Sequence, residues 1–363
     1  MITEIGIKNF KPLKSAKVKL NTLNVLTGLN GVGKSSFLQP FLLIMQSSKL
    51  ENGIIELNGM LAKTGVGSDV LYQFAQNEKI IFEVMLDDKQ FLWECGYQKD
   101  KEVLITENRY SGTQFAMLQK TAEQFHYINS IRPGPLDIYP ISSDVSEKKQ
   151  IGVMGEYAPY YIELFGSSYV VSEIMRHPKA TSETLLSQIN AWMKEISPGV
   201  SLRTQFAPTI NIVTLHYEFI SGNSKTKLFL PKNVGSGISY VIPVILILLT
   251  ATEGKTIIIE NPESHIHPRG QAEIGKLIAL AAQSGAQIFV ETHSDHILNG
   301  IRVAVKENKI DKDKVNILFF DRETTETEQY AKVIPIKIDK NGALSEYPDN
   351  FMDEWSNQLS KLI

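Results

Sequence analysis

One cysteine, Cys95, stands in 363 residues, which excludes an internal disulfide and fits a reducing cytoplasm. Long hydrophobic runs are missing too. The longest, residues 241–251, carries Pro243 and is too short to cross a bilayer. The first residues enter an alternating strand pattern without a signal-peptide layout. A cytoplasmic protein with no membrane partner is therefore expected. A large excess of one charge is absent: the net value of −3 gives no general attraction for nucleic acid, so DNA contact would need a local patch. No internal repeat, low-complexity tract or heptad run occurs, which argues against a long coiled-coil arm. What remains is ordinary globular composition, 43% hydrophobic and 21% charged. Its length suits one large or two smaller domains with a sizeable core.

Against that plain background one stretch is distinctive, Gly28-Leu29-Asn30-Gly31-Val32-Gly33-Lys34-Ser35-Ser36. It follows the apolar run 23–27 and precedes a segment of helical character, 36–45. Strand, glycine-rich loop and helix are the context of a phosphate-binding P-loop. Glycines let the backbone turn so that successive N–H groups face phosphate oxygens, and the new helix adds its positive end. Lys34 reaches the β- and γ-phosphates in such a loop, and the Ser35 hydroxyl takes a Mg²⁺ position. The expected ligand is a nucleoside triphosphate.

Upstream, residues 2–8, 16–20 and 23–27 read as short strands, with a turn at Asn9-Phe10-Lys11-Pro12. Lysines at 8, 11, 14, 17 and 19 form a solvated face or a phosphate- or DNA-facing one. Downstream, residues 80–86, 90–97 and 103–107 predict an antiparallel meander with Asp87-Asp88 in a tight turn. Tyr127 to Pro135 is a strand running into a proline-fixed loop. Residues 182–196 predict an amphipathic helix ended by Pro198-Gly199. Segments 209–220 and 225–230 predict a hairpin around Ser221-Gly222-Asn223.

The last third is richer in chemistry. Gly235-Ser236-Gly237 opens directly into an apolar helix, 238–252, a helix start suited to an anion. The buried-strand run 256–259 ends in Glu260-Asn261-Pro262-Glu263, and acidic groups at such a strand end are well placed to hold a phosphate-bound Mg²⁺. A helix, 270–283, leads to the strand 287–290, ending in Glu291-Thr292-His293-Ser294-Asp295-His296. A helix around 297–307 and a strand, 315–320, complete an alternation that implies a parallel sheet.

Together these motifs resemble the ABC-type ATPase heads of SMC, RecF and OLD proteins, and more narrowly the compact AAA-family ATPases of bacterial defence operons. The resemblance is carried by Ile-Lys-Asn-Phe-Lys, the P-loop, Val-Gly-Ser-Gly-Ile-Ser, Glu-Asn-Pro-Glu-Ser-His-Ile-His-Pro, Glu-Thr-His-Ser-Asp-His-Ile-Leu-Asn-Gly and Asp339-Lys340-Asn341-Gly342. Tyr-x-x-x-x-Arg-Pro-Gly-Pro supports it in the middle of the chain. It implies an α/β P-loop NTPase fold of ABC-ATPase type. A mostly parallel sheet flanked by helices is joined by an N-terminal antiparallel sheet and an inserted mixed α+β and helical region. The implied division is 1–45 and 231–363 for the two parts of the head, with 46–230 as meander and lid.

The resemblance further implies an ATPase that takes ATP and Mg²⁺. Asn30, Gly31, Gly33, Lys34, Ser35 and Ser36 bind the nucleotide; Gly235, Ser236 and Gly237 form the signature that meets the ATP of a partner subunit. Ser35 and Glu260 are the implied magnesium ligands, His293 the switch histidine, and His265 and His267 part of a dimer-crossing loop. Two departures stand out. The pair ending the Walker B strand is Glu260-Asn261 where most heads have Asp-Glu, and Asn261 cannot accept a proton. Glu263 is then the nearest general base, with His293 positioning water. The signature also lacks the Ser-Gly-Gly-Gln order, and Gln73 and Gln76 are the Q-loop candidates.

Implied partners are a second copy, closed around two ATP molecules, and a separate effector protein in a defence role, with DNA as a further option. The alternatives are a nucleotide-gated scaffold with negligible turnover, a RecF/SMC-like DNA-binding repair protein, and a dedicated transition-metal site built from His265, His267, His293 and His296.

Overall fold

The computed structural model describes residues 1–48 and 53–362. Residues 49–52, at the start of the region expected to be inserted, and Ile363 lie outside them. Strands β1 (Ile2–Phe10), β2 (Leu13–Lys19) and β3 (Leu23–Gly28) lead into α1 (Lys34–Ser47). Then come β4 (Ile54–Glu56), the single turn α2 (Gly67–Val70), β5 (Lys79–Leu86), β6 (Lys89–Gly96), β7 (Val103–Thr106) and α3 (Gly112–Glu123). The middle holds β8 (Phe125–Ile128), α4 (Ser143–Lys148), α5 (Ala158–Phe165), α6 (Leu185–Ile196), β9 (Val200–Ala207), β10 (Ile212–Ser221) and β11 (Ser224–Lys225). Last come α7 (Ser236–Leu249), β12 (Thr256–Glu260), α8 (Pro268–Gln283), β13 (Gln287–Glu291), α9 (Asp295–Lys306), β14 (Val315–Thr324), β15 (Gln329–Ile336) and α10 (Glu354–Ser360). Among the described residues no helix is long and apolar enough to cross a membrane.

These elements form two compact units, one of Met1–Phe125, Asp313–Asp339 and Ala343–Ile363, the other of His126–Lys312 and Lys340–Gly342. In the first, an antiparallel sheet runs in the order β2-β1-β5-β6-β7-β4. Alternate residues of β5 are buried, the period of a sheet with one face on a core. Asp87 and Asp88 both adopt positive φ, 43° and 61°, as a two-residue hairpin turn requires, so the predicted turn is present. The first turn is tighter than expected: Asn9 and Phe10 stay in β1, Phe10 pairs with Leu13, and only Lys11-Pro12 turns.

The same unit carries the order β15-β14-β3. β3 runs parallel to β14, Leu23 opposite Val315 and Gly28 opposite Phe320, and β15 closes antiparallel on β14. Leu23 to Thr27 are all buried, Asn24 and Thr27 among them, the unbroken burial of a strand covered on both faces. Phe37 of α1 meets Phe320 of β14 edge-on at 5.4 Å, which fixes the helix against the strand pair. β15 is absent from the sequence-based reading, and β14 runs four residues further than the predicted 315–320.

In the second unit β12 and β13 pair in parallel from Thr256–Gln287 to Glu260–Glu291, in the order β13-β12-β8. The predicted hairpin of 209–220 with 225–230 forms around Ser221-Gly222-Asn223: β10 pairs antiparallel with β11, Ser221 opposite Ser224 and Ile220 opposite Lys225, and Tyr217 bridges Phe229 further along. On its other edge β10 pairs with β9, from Ile212–Ala207 to Phe219–Val200, a strand absent from the sequence-based reading, and the regular part of the hairpin's second arm is short, Ser224–Lys225. Residues 221–228 are all exposed and have no core to bury, whereas Val200 and Leu202 of β9 are fully packed. The β9–β10 connection is the helical turn Pro208–Ile210, closed by Asn211 at φ 51°.

Candidate functional site

The first group of site residues lies where β3 gives way to α1. Gly28, Gly31 and Gly33 take φ of 137°, 74° and 104°, which curls the loop. At Gly28 a Cβ would collide with the Phe320 carbonyl, so the strand pairing itself demands glycine there. Lys34 is only 4% exposed, and its ammonium donates to the carbonyl oxygens of Gly28 at 3.0 Å and Leu29 at 2.6 Å. Leu29, Asn30, Gly31 and Ser35 are exposed. α1 begins without a side-chain cap and without an acidic residue in its first turn, so its positive end is left for an outside anion. A triphosphate fits this curl of N–H groups, one ammonium and one helix end.

A cavity of about 540 Å³ opens beside this loop, lined by Gly31 and Val32 together with Lys11, Tyr72, Phe74, Arg322 and Tyr330. Gln73, one of the two Q-loop candidates, also faces it. Arg322 of β14 donates from Nη2 to the Gly31 carbonyl at 3.2 Å. The Tyr72 hydroxyl donates to the Glu328 carboxylate and the Gln329 carbonyl; burial and that carboxylate push its phenol up to about 12.

The second group gathers at the carboxyl ends of β8, β12 and β13. Glu260 is held on both oxygens: Tyr127 donates its hydroxyl to Oε1 at 2.8 Å, and the Ser130 N–H donates to Oε2 at 3.1 Å. Burial and the Glu260 charge push the Tyr127 phenol far up, so it stays a donor. Arg132, 3% exposed, grips the backbone at the strand end. Its Nη1 donates to the carbonyls of Glu260 at 2.8 Å and Asn129 at 3.1 Å, and its Nη2 to that of Asn261 at 2.6 Å. Burial pulls this guanidinium down, while Glu263 and Glu260 act to hold it up. Asn261 sits at φ 44°, a conformation asparagine tolerates better than most residues, and this turns the chain sharply toward Glu263.

The Glu263 carboxylate is already engaged. Thr292 Oγ1 donates to Oε2 and the His293 N–H to Oε1, both at 2.8 Å. The candidate base and the candidate switch histidine are therefore joined directly, through backbone rather than imidazole. His293 is exposed. On the other side, the His265 ring lies tilted at 37° against Tyr240 of α7, centroids 4.4 Å apart, and a Cβ on Gly237 would run into the His265 carbonyl. Gly235 and Ser236 are exposed at the start of α7. Gly237→Ala is accordingly expected to push the 261–267 loop off α7 and cut turnover at least about tenfold through misplacement. Lys34 should still bind nucleotide, as measured by titration with a fluorescent ATP analogue.

Of the residues singled out from the sequence, Glu260, Glu263, His293 and Gly237 lie in the second unit, with Glu263 bonded to the His293 N–H, and Asn30 to Ser36 lie at the β3–α1 junction of the first. Sequence reasoning misses Tyr127, Arg132 and Thr292 as partners, and Arg322 and Tyr330 altogether. Oxygen donors of the kind magnesium takes are present in Ser35 and Glu260. The dedicated histidine metal site is not formed: among the described residues no three His, Cys, Asp or Glu side chains come together as ligands. Of the five N-terminal lysines, Lys14 pairs with Glu328 and Lys17 with Glu4 at 3.0 Å and Glu83 at 3.5 Å, and Lys8 and Lys19 are exposed.

The family described as AAA ATPase domain matches residues 1–197, more than half of the chain. The chain belongs to the AAA ATPase domain family. Residues 154–299 of this AAA ATPase also match a family described as AAA domain, putative AbiEii toxin, Type IV TA system, and 310–362 match a protein family of unknown function, DUF3696. Among curated proteins, "Old nuclease" of Escherichia phage P2 is 23% identical over 365 residues, covering 85% of this chain. The chain spans about 60% of that relative's length. An SMC head bound to the C-winged helix domain of ScpA shares the fold, with a TM-score of 0.56 at 13% identity over 93% of this chain and 98% of that one. So does the Pyrococcus furiosus Smc head domain with an extended coiled coil bound to the C-terminal domain of ScpA, with a TM-score of 0.55 at 12% identity over 99% of both chains. The family is thus that of AAA ATPase domains, and the fold is shared with SMC heads.

Proposed function

We propose that this AAA ATPase is a conformational switch in which two copies close around two ATP molecules and hydrolysis opens them. The observation that carries the reading is the Gly28–Ser36 loop, with a buried lysine whose ammonium donates to the loop carbonyls of Gly28 and Leu29. In this reading Asn30, Gly31, Gly33, Lys34, Ser35 and Ser36 take the phosphates, and the partner copy's Gly235-Ser236-Gly237 completes the site. Ser35 and Glu260 are the magnesium ligands; the ion, when bound, neutralises charge on the phosphates. The remaining catalysis is positioning and electrostatics by Lys34 and helix ends. Residues 1–45 and 231–363 make the head in this proposal, and 46–230 the inserted region. Likeness to a nuclease of the OLD type supports a role in defence with a separate effector.

Purified full-length protein should dimerise with ATP and Mg²⁺ and return to monomer with ADP, as light scattering would follow. A mass that ignores nucleotide rules the switch out.

A second reading, a nucleotide-gated scaffold with negligible turnover, is favoured by Asn261 and by the two donors already on Glu263. Phosphate release separates them. If Glu263 is the base, Glu263→Gln drops turnover at least about a hundredfold from a measurable wild-type rate. If the protein is a scaffold, the wild type is already near background and Asn261→Glu raises it.

A further inference from the structure

The strand hairpin β14–β15 lies outside both ATPase family matches, which end at residues 197 and 299, and inside the segment matched by a family of unknown function. It nevertheless reaches the P-loop. Arg322 bonds the Gly31 carbonyl, and Ala331, its partner across the hairpin, would lie 3.0 Å from a Cβ on Gly33. Arg322 and Tyr330 line the 540 Å³ cavity with Lys11, Tyr72 and Phe74. The hairpin is also held firmly in place. Lys14 pairs with Glu328, Tyr72 bonds Glu328 and the Gln329 carbonyl, and the Ala331 N–H donates to the Pro12 carbonyl at 2.8 Å.

The lining has a chemistry of its own. A phosphate cradle needs backbone N–H groups and cations, and the loop supplies those. Aromatic rings and a planar guanidinium instead suit a flat π-system, and an arginine beside it adds a charge complementary to phosphate. The cavity also falls in the size range of small-molecule sites. We propose that β14–β15 is the nucleoside-binding half of the cradle, with Arg322 and Tyr330 holding the base and ribose of the triphosphate bound by Gly28–Ser36. This rests on the nucleotide reading above and assigns a role to the segment of unknown function.

Calorimetric titration of the full chain with ATP and with inorganic tripolyphosphate tests it. Tyr330→Ala is expected to weaken ATP binding about tenfold, the scale of one lost base–aromatic stack, while tripolyphosphate binding changes less than about twofold. Arg322→Lys, which keeps the charge and loses the plane, should also weaken ATP more than tripolyphosphate. Unchanged ATP affinity in both variants overturns the proposal, and so does an equal loss for both ligands, which would mean that the hairpin merely props the loop. A wild type that binds neither ligand fails earlier, at the nucleotide reading, and takes the hairpin proposal with it.

Discussion

Lys34→Ala is expected to lower ATP turnover at least about a hundredfold, the scale on which one preorganised charge or donor at a reacting phosphate acts. The Lys34 side chain is almost wholly buried, and its ammonium donates to two carbonyls of its own loop. Phosphate oxygens arriving in the loop would replace those carbonyls within the same reach, so little reorganisation is needed. Alanine removes the charge and the ammonium's bonds to Gly28 and Leu29, while the pairing of Gly28 with Phe320 still shapes the loop. Calorimetric ATP titration and phosphate release read the effect, and an unchanged circular dichroism melt shows that folding is intact. Normal binding and turnover in this variant would remove the P-loop from the mechanism.

Arg132→Met carries the second large effect. The guanidinium satisfies three backbone carbonyls, those of Asn129, Glu260 and Asn261, from a position 3% exposed. Methionine keeps much of the volume and none of the donors, so three acceptors lose their partner and two nearby carboxylates lose a balancing cation. The expected cost is about 3 kcal/mol, within the range for breaking a buried charged hydrogen-bond set. At the usual scaling for 150–250 residues this lowers the apparent unfolding midpoint by roughly 6–12 °C. Differential scanning calorimetry checks it, and a shift under about 1 °C would mean that the clamp contributes little. Tyr127→Phe is the milder companion, since it removes one donor from Glu260 and leaves the backbone grip in place.

The contrast between these two residues marks how much of the site the sequence carried. The place of Lys34 was readable because its setting is local: strand, loop and helix follow one another, and the glycines announce the turn. Glu260, Glu263 and His293 were readable for the same reason, each ending or following a buried strand. Arg132 acts on atoms 128 and 129 positions away in sequence, and nothing in its neighbourhood says that its head is buried. The Pro-Gly-Pro that follows it marked a fixed loop but not what the loop held. β9 was hidden by its position between a helix stop and a proline turn, although Val200 and Leu202 alternate as a strand should. β15 alternates more weakly, and Pro335 within it argues against a strand anywhere but at an edge.

The pairing of β3 with β14 has a consequence for how the protein is made. Leu23 leaves the ribosome some 290 residues ahead of Val315, the residue it must lie beside. At a synthesis rate of 5–20 residues per second, the P-loop strand waits roughly 15–60 s with one of its edges without β14. Until then the apolar side chains of Leu23, Val25 and Leu26 are open to any other strand or to a chaperone. The nucleotide cradle is thus among the last parts of the molecule to be completed, although its defining motif is among the first to be translated.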